Sequence, residues 1–327
     1  MSLAKIVETI KENQNFLLTA HINPDGDAIG AETALALALK QMGKNVVIVN
    51  KDETPEDYKF LPGSSEIKSP ADIDCPNKEQ DVLIVLDCGL FDRVGFLTPA
   101  DFKLVINIDH HATNNAFGQL NYYRPEASST SELVFELINE LPVEITAPIA
   151  TCIYTGLLTD TGSFHYDNTN VRSFEIAAQL LRYGAHPADI ARSIYENTSF
   201  NRIRLMGEGL NTIEVFNGGT IGSLLITQDM LKRNQAKPYD TEDFVNFPRS
   251  IKGVFVAVFW RELDKDFYKI SLRSKVNVDV AKVASKFGGG GHFHAAGAHL
   301  RGELSELKQK VVQEVSRALQ ELEKQGA

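Results

Sequence analysis

Cysteine is scarce in this chain. Its 327 residues hold three, Cys75, Cys88 and Cys152, widely spaced and without a C-x-x-C pair. That excludes a disulfide framework and a cysteine-built zinc site, and an odd count of core thiols suits a reducing compartment. Long apolar runs are also missing. The longest, Val254 to Trp260, falls far short of the roughly 20 residues that a membrane-spanning helix needs. No charged, apolar and cleavage segments open the chain, so no signal peptide is expected, no membrane partner is expected, and the expected location is cytoplasmic. Basic excess is absent as well: 33 Lys and Arg face 43 Asp and Glu, a net charge of −10. Affinity for long nucleic acids rests on neutralising phosphates, so a long duplex is not an expected partner. A small phosphorylated ligand, gripped locally by a few cations, remains compatible with the acidity.

What is present points to a globular protein of two domains, 43% hydrophobic and 23% charged. Apolar runs at Phe16–Ala20, Val46–Val49, Val82–Leu86 and Leu104–Ile108 read as strands. A helix over about Ile29–Met42, ended by Gly43, lies between the first two. Strands alternating with helices predict an α/β domain with a largely parallel sheet and helices on both faces. Further helices are predicted at Ala147–Thr159, Arg172–Tyr183, Pro187–Asn197 and Arg202–Ile213. Beyond Gly219 the texture changes to strands at Ile221–Ile226, Val254–Glu262 and Phe267–Arg273, a helix at Asp279–Phe287 and a long amphipathic terminal helix. This predicts a smaller C-terminal α/β domain with a mixed sheet. The expected division is residues 1–195, a helical linker over 196–215, and 216–327.

Ligands of parallel sheets collect beyond the carboxyl ends of the strands. His21, Asp25 and Asp27 follow the first strand, Asp87 another, and Asp109-His110-His111 a third, while Asp160 closes a helix. Carboxylates and imidazoles together suit a hard or borderline divalent metal, and a centre with two such ions is common equipment for hydrolysing phosphate esters. Each motif also has a plain reading. Asp25 or Asp27 can be a helix N-cap, Asp-Gly pairs form turns, and an Asp after a strand is usually a turn residue. What favours metal is the repetition at strand ends. A central carboxylate such as Asp87 has two oxygens and can bridge two cations. Of the adjacent histidines, which point in different directions, one can bind metal while the other faces substrate and donates a proton. Asp160 at a helix C-terminus sits at the negative end of the dipole, a conflict that a cation removes. Gly288–Gly291 before His292 is either a helix cap and hinge or a set of backbone N–H groups aimed at an anion. It lacks the Lys-Ser/Thr ending of a phosphate-binding P-loop. In Phe267–Arg273, alternation puts Lys269, Ser271 and Arg273 on one strand face, where an Arg fork suits a phosphate.

Taken together, His21-Ile22-Asn23-Pro24-Asp25-Gly26-Asp27, Leu86-Asp87-Cys88-Gly89, Asp109-His110-His111 and Thr159-Asp160-Thr161-Gly162 resemble the DHH phosphoesterase family. Ser271-Leu272-Arg273-Ser274 and Gly288–His292 with Ala295-Ala296-Gly297 resemble the DHH-associated domain. The two-domain form is most similar to the branch acting on nano-RNA and 3′-phosphoadenosine 5′-phosphate (pAp). The resemblance implies a phosphoesterase with two Mn²⁺ ions, Mg²⁺ or Co²⁺ being alternatives, and an active site in the cleft between the domains. By position, His21, Asp25 and Asp87 hold one ion, and Asp27, Asp87, His110 and Asp160 the other. Asp87 and His111 are the implied catalytic residues, and Arg273, Gly289, Gly290, Gly291 and His292 the implied substrate contacts. The implied partners are short RNA oligonucleotides or small phosphorylated nucleotides, and a homodimer is compatible. The rival readings are a phosphodiesterase for cyclic di-AMP or its linear product pApA, an inorganic pyrophosphatase, a long-strand exonuclease and a nucleotide-sensing module. The acidity opposes the exonuclease. The filled ligand positions oppose the sensor, and the Gly288–His292 segment opposes the pyrophosphatase.

Overall fold

The computed structural model describes residues 3–73 and 81–325. Cys75 lies outside them. The chain divides after Asn197 into two compact units.

The first unit carries β1 (Asn15–Thr19), β2 (Asn45–Ile48), β3 (Asp81–Leu86), β4 (Leu104–Asp109) and β5 (Leu120–Tyr123). They form one sheet in the order β2-β1-β3-β4-β5, every pair parallel. Its helices are α1 (Leu3–Glu12), α2 (Gly26–Gln41), α3 (Thr130–Asn139), α4 (Ala147–Asp160), α5 (Val171–Arg182) and α6 (Pro187–Tyr195). Period-two alternation sorts each strand between two cores. Phe16, Leu18, Val82, Ile84, Leu86, Ile106 and Ile108 face the helical layer. Leu17, Leu83, Val85 and Val105 face the other side. The helical cover differs in kind: α-helices lie on the first face, and single 3-10 turns at Phe91–Val94 and Pro99–Asp101 lie on the second. The order reverses between β1 and β3, which makes their carboxyl ends the natural ligand crevice of such a sheet.

Helices α2 and α4 touch at glycines. A Cβ on Gly30 would lie 2.5 Å from the Cys152 carbonyl oxygen, and one on Gly156 would lie 1.9 Å from Ser131 Oγ and 2.6 Å from Asp27 Oδ1. Only glycine allows this approach, and it brings the starts of α2 and α3 against the end of α4.

The second unit contains α7 (Phe200–Leu210), β6 (Glu214–Phe216), β7 (Ile221–Ile226), α8 (Gln228–Arg233), α9 (Asn246–Ser250), β8 (Val256–Asp264), β9 (Phe267–Ser274), α10 (Val280–Ser285), β10 (Gly290–His292), β11 (Ala295–Arg301) and α11 (Leu304–Gln325). The six strands run β10-β11-β9-β8-β7-β6. The β7–β8 pair is parallel and the others antiparallel, so the sheet is mixed. Helix α7, expected as a connector, packs into this unit because its buried Leu205 joins Leu224 and Ile226. Val254 and Phe255 precede β8 instead of opening it, and Asp279 caps α10 from outside by accepting the N–H of Ala281 at 3.0 Å. No helix among the described residues is long and apolar enough to cross a membrane.

Candidate metal centre

The carboxyl ends of β1, β3 and β4 and the facing ends of α2 and α4 bring the expected ligands together. Three overlapping groups have donor atoms within 4.8 Å of one another: His21, Asp25 and Asp87; Asp27, His110 and Asp160; and Asp87, His110 and His111. Asp87 sits between the first two. Its Oδ2 lies 3.5 Å from His21 Nε2, and its Oδ1 lies 3.7 Å from His110 Nε2. Its backbone is in the left-handed region at φ 52°, a strained conformation for a non-glycine residue that clusters at functional sites. The Asp87 N–H to the Ile108 carbonyl, 3.0 Å, holds that turn.

Both inner histidines present the same face. His21 Nδ1 is 2.8 Å from the Ile22 carbonyl and His110 Nδ1 is 3.2 Å from that of Ala127. A carbonyl only accepts, so Nδ1 carries a hydrogen and each ring turns its Nε2 to the carboxylates. This is the usual way a metal-binding histidine is oriented. His110 Nε2 also lies 3.5 Å from Asp160 Oδ2.

The four carboxylates have distinct settings. Asp25 is exposed, and its Oδ1 caps α2 by accepting the N–H groups of Asp27 and Ala28 at 3.0 and 3.1 Å. The plain reading of this residue and the metal reading therefore coexist. Asp27 is buried and both its oxygens accept backbone N–H groups at the start of α3, from Thr130 at 2.6 Å and Ser131 at 2.9 Å. Burial, then the charge of Asp87, pushes its pKa up to about 7. Burial and the charges of Asp27 and Asp87 push Asp160 to about 9. Burial acts against charge on Asp87 too, but His21, His111 and His110 outweigh it and hold that carboxyl well below the usual range. Among the described residues, none of these four carboxylates forms an ion pair with Lys or Arg. A cluster of four carboxylates and two imidazole nitrogens, without a Lys or Arg partner among the described residues, fits divalent metal by its chemistry.

His111 is different. Its Nδ1 lies 2.7 Å from Asp109 Oδ1. Burial works against the charged ring, yet that hydrogen bond and the charge of Asp87 push its pKa up to about 9. The other Asp109 oxygen accepts from Asn114 Nδ2 at 2.5 Å. Asp109 thus orients His111 and is spent on hydrogen bonds, which leaves His110 as the residue of the string that joins Asp27 and Asp160.

The substrate contacts expected in the second unit lie around β9 and β10. Ser271 and Arg273 are half-buried on the open face of β9, while Tyr268, Ile270 and Leu272 are buried on the other. Among the described residues, Arg273 makes no ion pair; one guanidinium N–H goes to the Leu272 carbonyl at 3.1 Å. The N–H groups of Gly288 and Gly289 close α10 on the Ser285 and Ala284 carbonyls at 3.1 and 3.0 Å. The glycine run is therefore a helix cap first, and Gly289 has no amide to offer an anion. Gly290–His292 forms the edge strand, pairing Gly290 with Gly297 and Gly291 with Ala296. The side chain of His292 lies outside the described structure.

Several residues of the centre escaped the sequence reading: Asn114, Thr130, Ser131, Asn168 and Glu32. Asn168 Nδ2 donates to Asp160 Oδ2 at 3.1 Å. Glu32 is fully buried on α2, accepts from Asn50 Nδ2 at 2.8 Å, and is pushed by burial to a pKa of about 8. A usable signal existed for the Thr130 turn: Ser129-x-x-Glu132 before Leu133-Val134-Phe135 has the form of a helix start.

Fold and site define an α/β protein whose switch-point crevice is built for divalent metal. Residues 15–157 match the DHH family, N-terminal domain, and residues 225–321 match the DHHA1 domain. The chain is 38% identical over 304 residues to the bifunctional oligoribonuclease and PAP phosphatase NrnA of Thermus thermophilus, covering 92% of this chain and 89% of that one. It is 28% identical over 301 residues to the protein of the same name from Bacillus subtilis, covering 90% and 92%. The crystal structure of an exopolyphosphatase-related protein from Bacteroides fragilis superposes with a TM-score of 0.89 at 33% identity, covering 98% of this chain and 95% of that one. An exonuclease RecJ bound to manganese shares the fold, with a TM-score of 0.57 at 13% identity over 98% and 94% of the two chains. The chain belongs to the DHH family.

Proposed function

We propose that this protein is a two-metal phosphoesterase that cleaves short oligoribonucleotides to mononucleotides and removes the 3′-phosphate of pAp to leave AMP. The observation that carries the reading is Asp87, whose two oxygens face His21 on one side and His110 on the other. The names of the relatives at 38% and 28% identity supply the substrate class. His21, Asp25 and Asp87 would hold one ion, and Asp27, Asp87, His110 and Asp160 the other. Mixed oxygen and imidazole donors suit Mn²⁺, with Mg²⁺ or Co²⁺ as substitutes. When bound, such a pair supplies Lewis-acid polarisation of the phosphoryl oxygens and activation of a water nucleophile.

The chain's own groups do the rest. His111, kept protonated by Asp109, offers a cationic donor to the scissile phosphate and a proton to the departing oxygen. Asp160 and Asp27, whose protons burial retains in the metal-free protein, would hold an ion as carboxylates. In the second unit, Arg273 and the edge Gly290–His292 are assigned to the anionic groups of the substrate, the Arg fork forming no ion pair among the described residues. Cys88 and Cys152, both unpaired, are compatible with a cytoplasmic site of action.

The test is a parallel assay with Mn²⁺ on RNA dinucleotides, pAp, linear pApA, cyclic di-AMP and pyrophosphate. Hydrolysis of dinucleotides and pAp is expected. Cleavage of pyrophosphate alone, or of cyclic di-AMP in strong preference to dinucleotides, would overturn the assignment.

A further inference from the structure

We infer that Ala127–Ser131, chiefly through Thr130, is the positioning element of one of the two metal sites and bears on the other only through the shared Asp87. The inference rests on the two-metal reading above.

Every member of the group formed by Asp27, Asp87, His110 and Asp160 is tied to this segment. Thr130 N–H and Ser131 N–H donate to different oxygens of Asp27, at 2.6 and 2.9 Å. Two donors on two oxygens fix both the plane and the rotation of that carboxylate. The Thr130 hydroxyl donates to Asp87 Oδ1 at 3.0 Å, the oxygen on the His110 side. The Ala127 carbonyl takes His110 Nδ1 at 3.2 Å. Asn168 Nδ2 bridges the Ser128 carbonyl at 2.9 Å and Asp160 Oδ2 at 3.1 Å. One residue, Thr130, therefore reaches two of the four ligands.

The segment is itself held rigid. Glu132 Oε2 accepts from both the N–H and the hydroxyl of Ser128, at 3.0 and 2.7 Å. Its Oε1 accepts from Arg124 at 2.8 Å. Ser129 Oγ caps α3 through the Glu132 N–H at 3.1 Å. By contrast, His21 leans on the Ile22 carbonyl and Asp25 on the start of α2. The first site draws on none of residues 127–131 except through the shared Asp87.

This asymmetry makes Thr130 a positioning residue with a selective signature. Loss of an outer hydrogen bond to a metal ligand typically weakens metal binding about 10–100-fold. Thr130→Val keeps the shape and removes the hydroxyl; Thr130→Ser keeps the hydroxyl. Mn²⁺ alone is titrated into the full-length protein and its two variants, and free Mn²⁺ is followed by electron paramagnetic resonance. Wild type is expected to take two ions. Thr130→Val is expected to keep one at wild-type affinity and to weaken the other about 10–100-fold, with kcat for a dinucleotide reduced at saturating substrate and KM little changed. Thr130→Ser is expected to restore both. If circular dichroism shows that Thr130→Val does not fold, Asn168→Ala, which frees Asp160, is expected to give the same one-site loss. Unaltered titration of the variant, or equal weakening of both sites, would overturn the inference. Failure of wild type to bind two ions would instead overturn the two-metal reading on which it stands.

Discussion

A single methyl group on Gly156 connects the packing of this fold to its chemistry. In Gly156→Ala the new Cβ would sit 1.9 Å from Ser131 Oγ, 2.8 Å from Ser131 Cβ and 2.6 Å from Asp27 Oδ1. Turning the serine hydroxyl away does not help, because its Cβ is also too near. Ordinary contact begins at roughly 3.4 Å, so α4 and the start of α3 must separate by about 1 Å. Overpacking of this kind costs about 1–3 kcal/mol, and the better helix propensity of alanine returns up to about 1 kcal/mol. A net loss of about 1–2 kcal/mol in metal-free protein is expected, read by urea unfolding. The functional effect is expected to be larger, since Asp27 is carried by the contact being pushed. A displacement of about 1 Å at a reacting group can lower turnover about 100-fold. Gly207→Ala on α7 is the control. Among the described residues beyond its own stretch of helix, nothing lies within 4 Å of its new Cβ, so it should gain a few tenths to about 1 kcal/mol and keep full activity. Wild-type stability together with wild-type Mn²⁺ affinity in Gly156→Ala would refute the reasoning.

Asp87→Asn is expected to abolish Mn²⁺-dependent hydrolysis while far-ultraviolet circular dichroism stays native; retained turnover contradicts the bridging role. His111→Gln should lower kcat about 10²–10⁴-fold with both metals still bound, so loss of metal in that variant would reassign the residue. In metal-free protein Asp27 has a pKa of about 7 and Asp160 of about 9, both above the ordinary carboxylate, so metal must displace protons. Mn²⁺ affinity should therefore rise between about pH 6 and 9, and calorimetry near pH 7 in buffers of different ionisation enthalpy should detect proton release; none would count against the arrangement. Glu32 keeps a proton in the fold up to about pH 8, whereas its ordinary value is 4.5. Its contribution is full below pH 4.5 and is lost as pH rises to 8, by an amount on the order of 5 kcal/mol. Glu32→Gln in excess chelator should flatten that part of the stability profile, and parallel profiles for variant and wild type would exclude the buried acid as its source.

The parts of this molecule that are legible in the sequence are those in which one residue's type and position carry the message. Val82–Leu86 and Leu104–Ile108 announce buried strands by composition, and the polar residues directly after them must lie at the sheet's carboxyl edge. That reasoning puts His21, Asp87 and His110 at the edge where the structure has them. The unread parts act through backbone or through distant partners. Thr130 and Ser131 serve Asp27 with N–H groups across 103 and 104 residues, and a backbone donor has no spelling. Asp109 reads like a ligand, but Asn114 and His111 take both its oxygens. The left-handed backbone of Asp87 is likewise invisible, since the strain is imposed by the turn and not by the side chain. Helix α1, β5, β6, β10 and β11 also escape the sequence patterns. Most of these are short, and β11 (Ala295-Ala296-Gly297-Ala298-His299-Leu300-Arg301) is small-residue rich, with weak β propensity. Glycines 288 and 289 show the opposite error. They look like anion donors, and the fold has used their amides to end a helix.

The dinuclear centre is tested most directly by an anomalous-scattering map from crystals of the Mn²⁺-loaded protein. Two peaks are expected to flank the Asp87 carboxylate, one toward His21 and Asp25 and one toward Asp27, His110 and Asp160. A lone peak, or peaks that leave Asp87 uncoordinated, would contradict it.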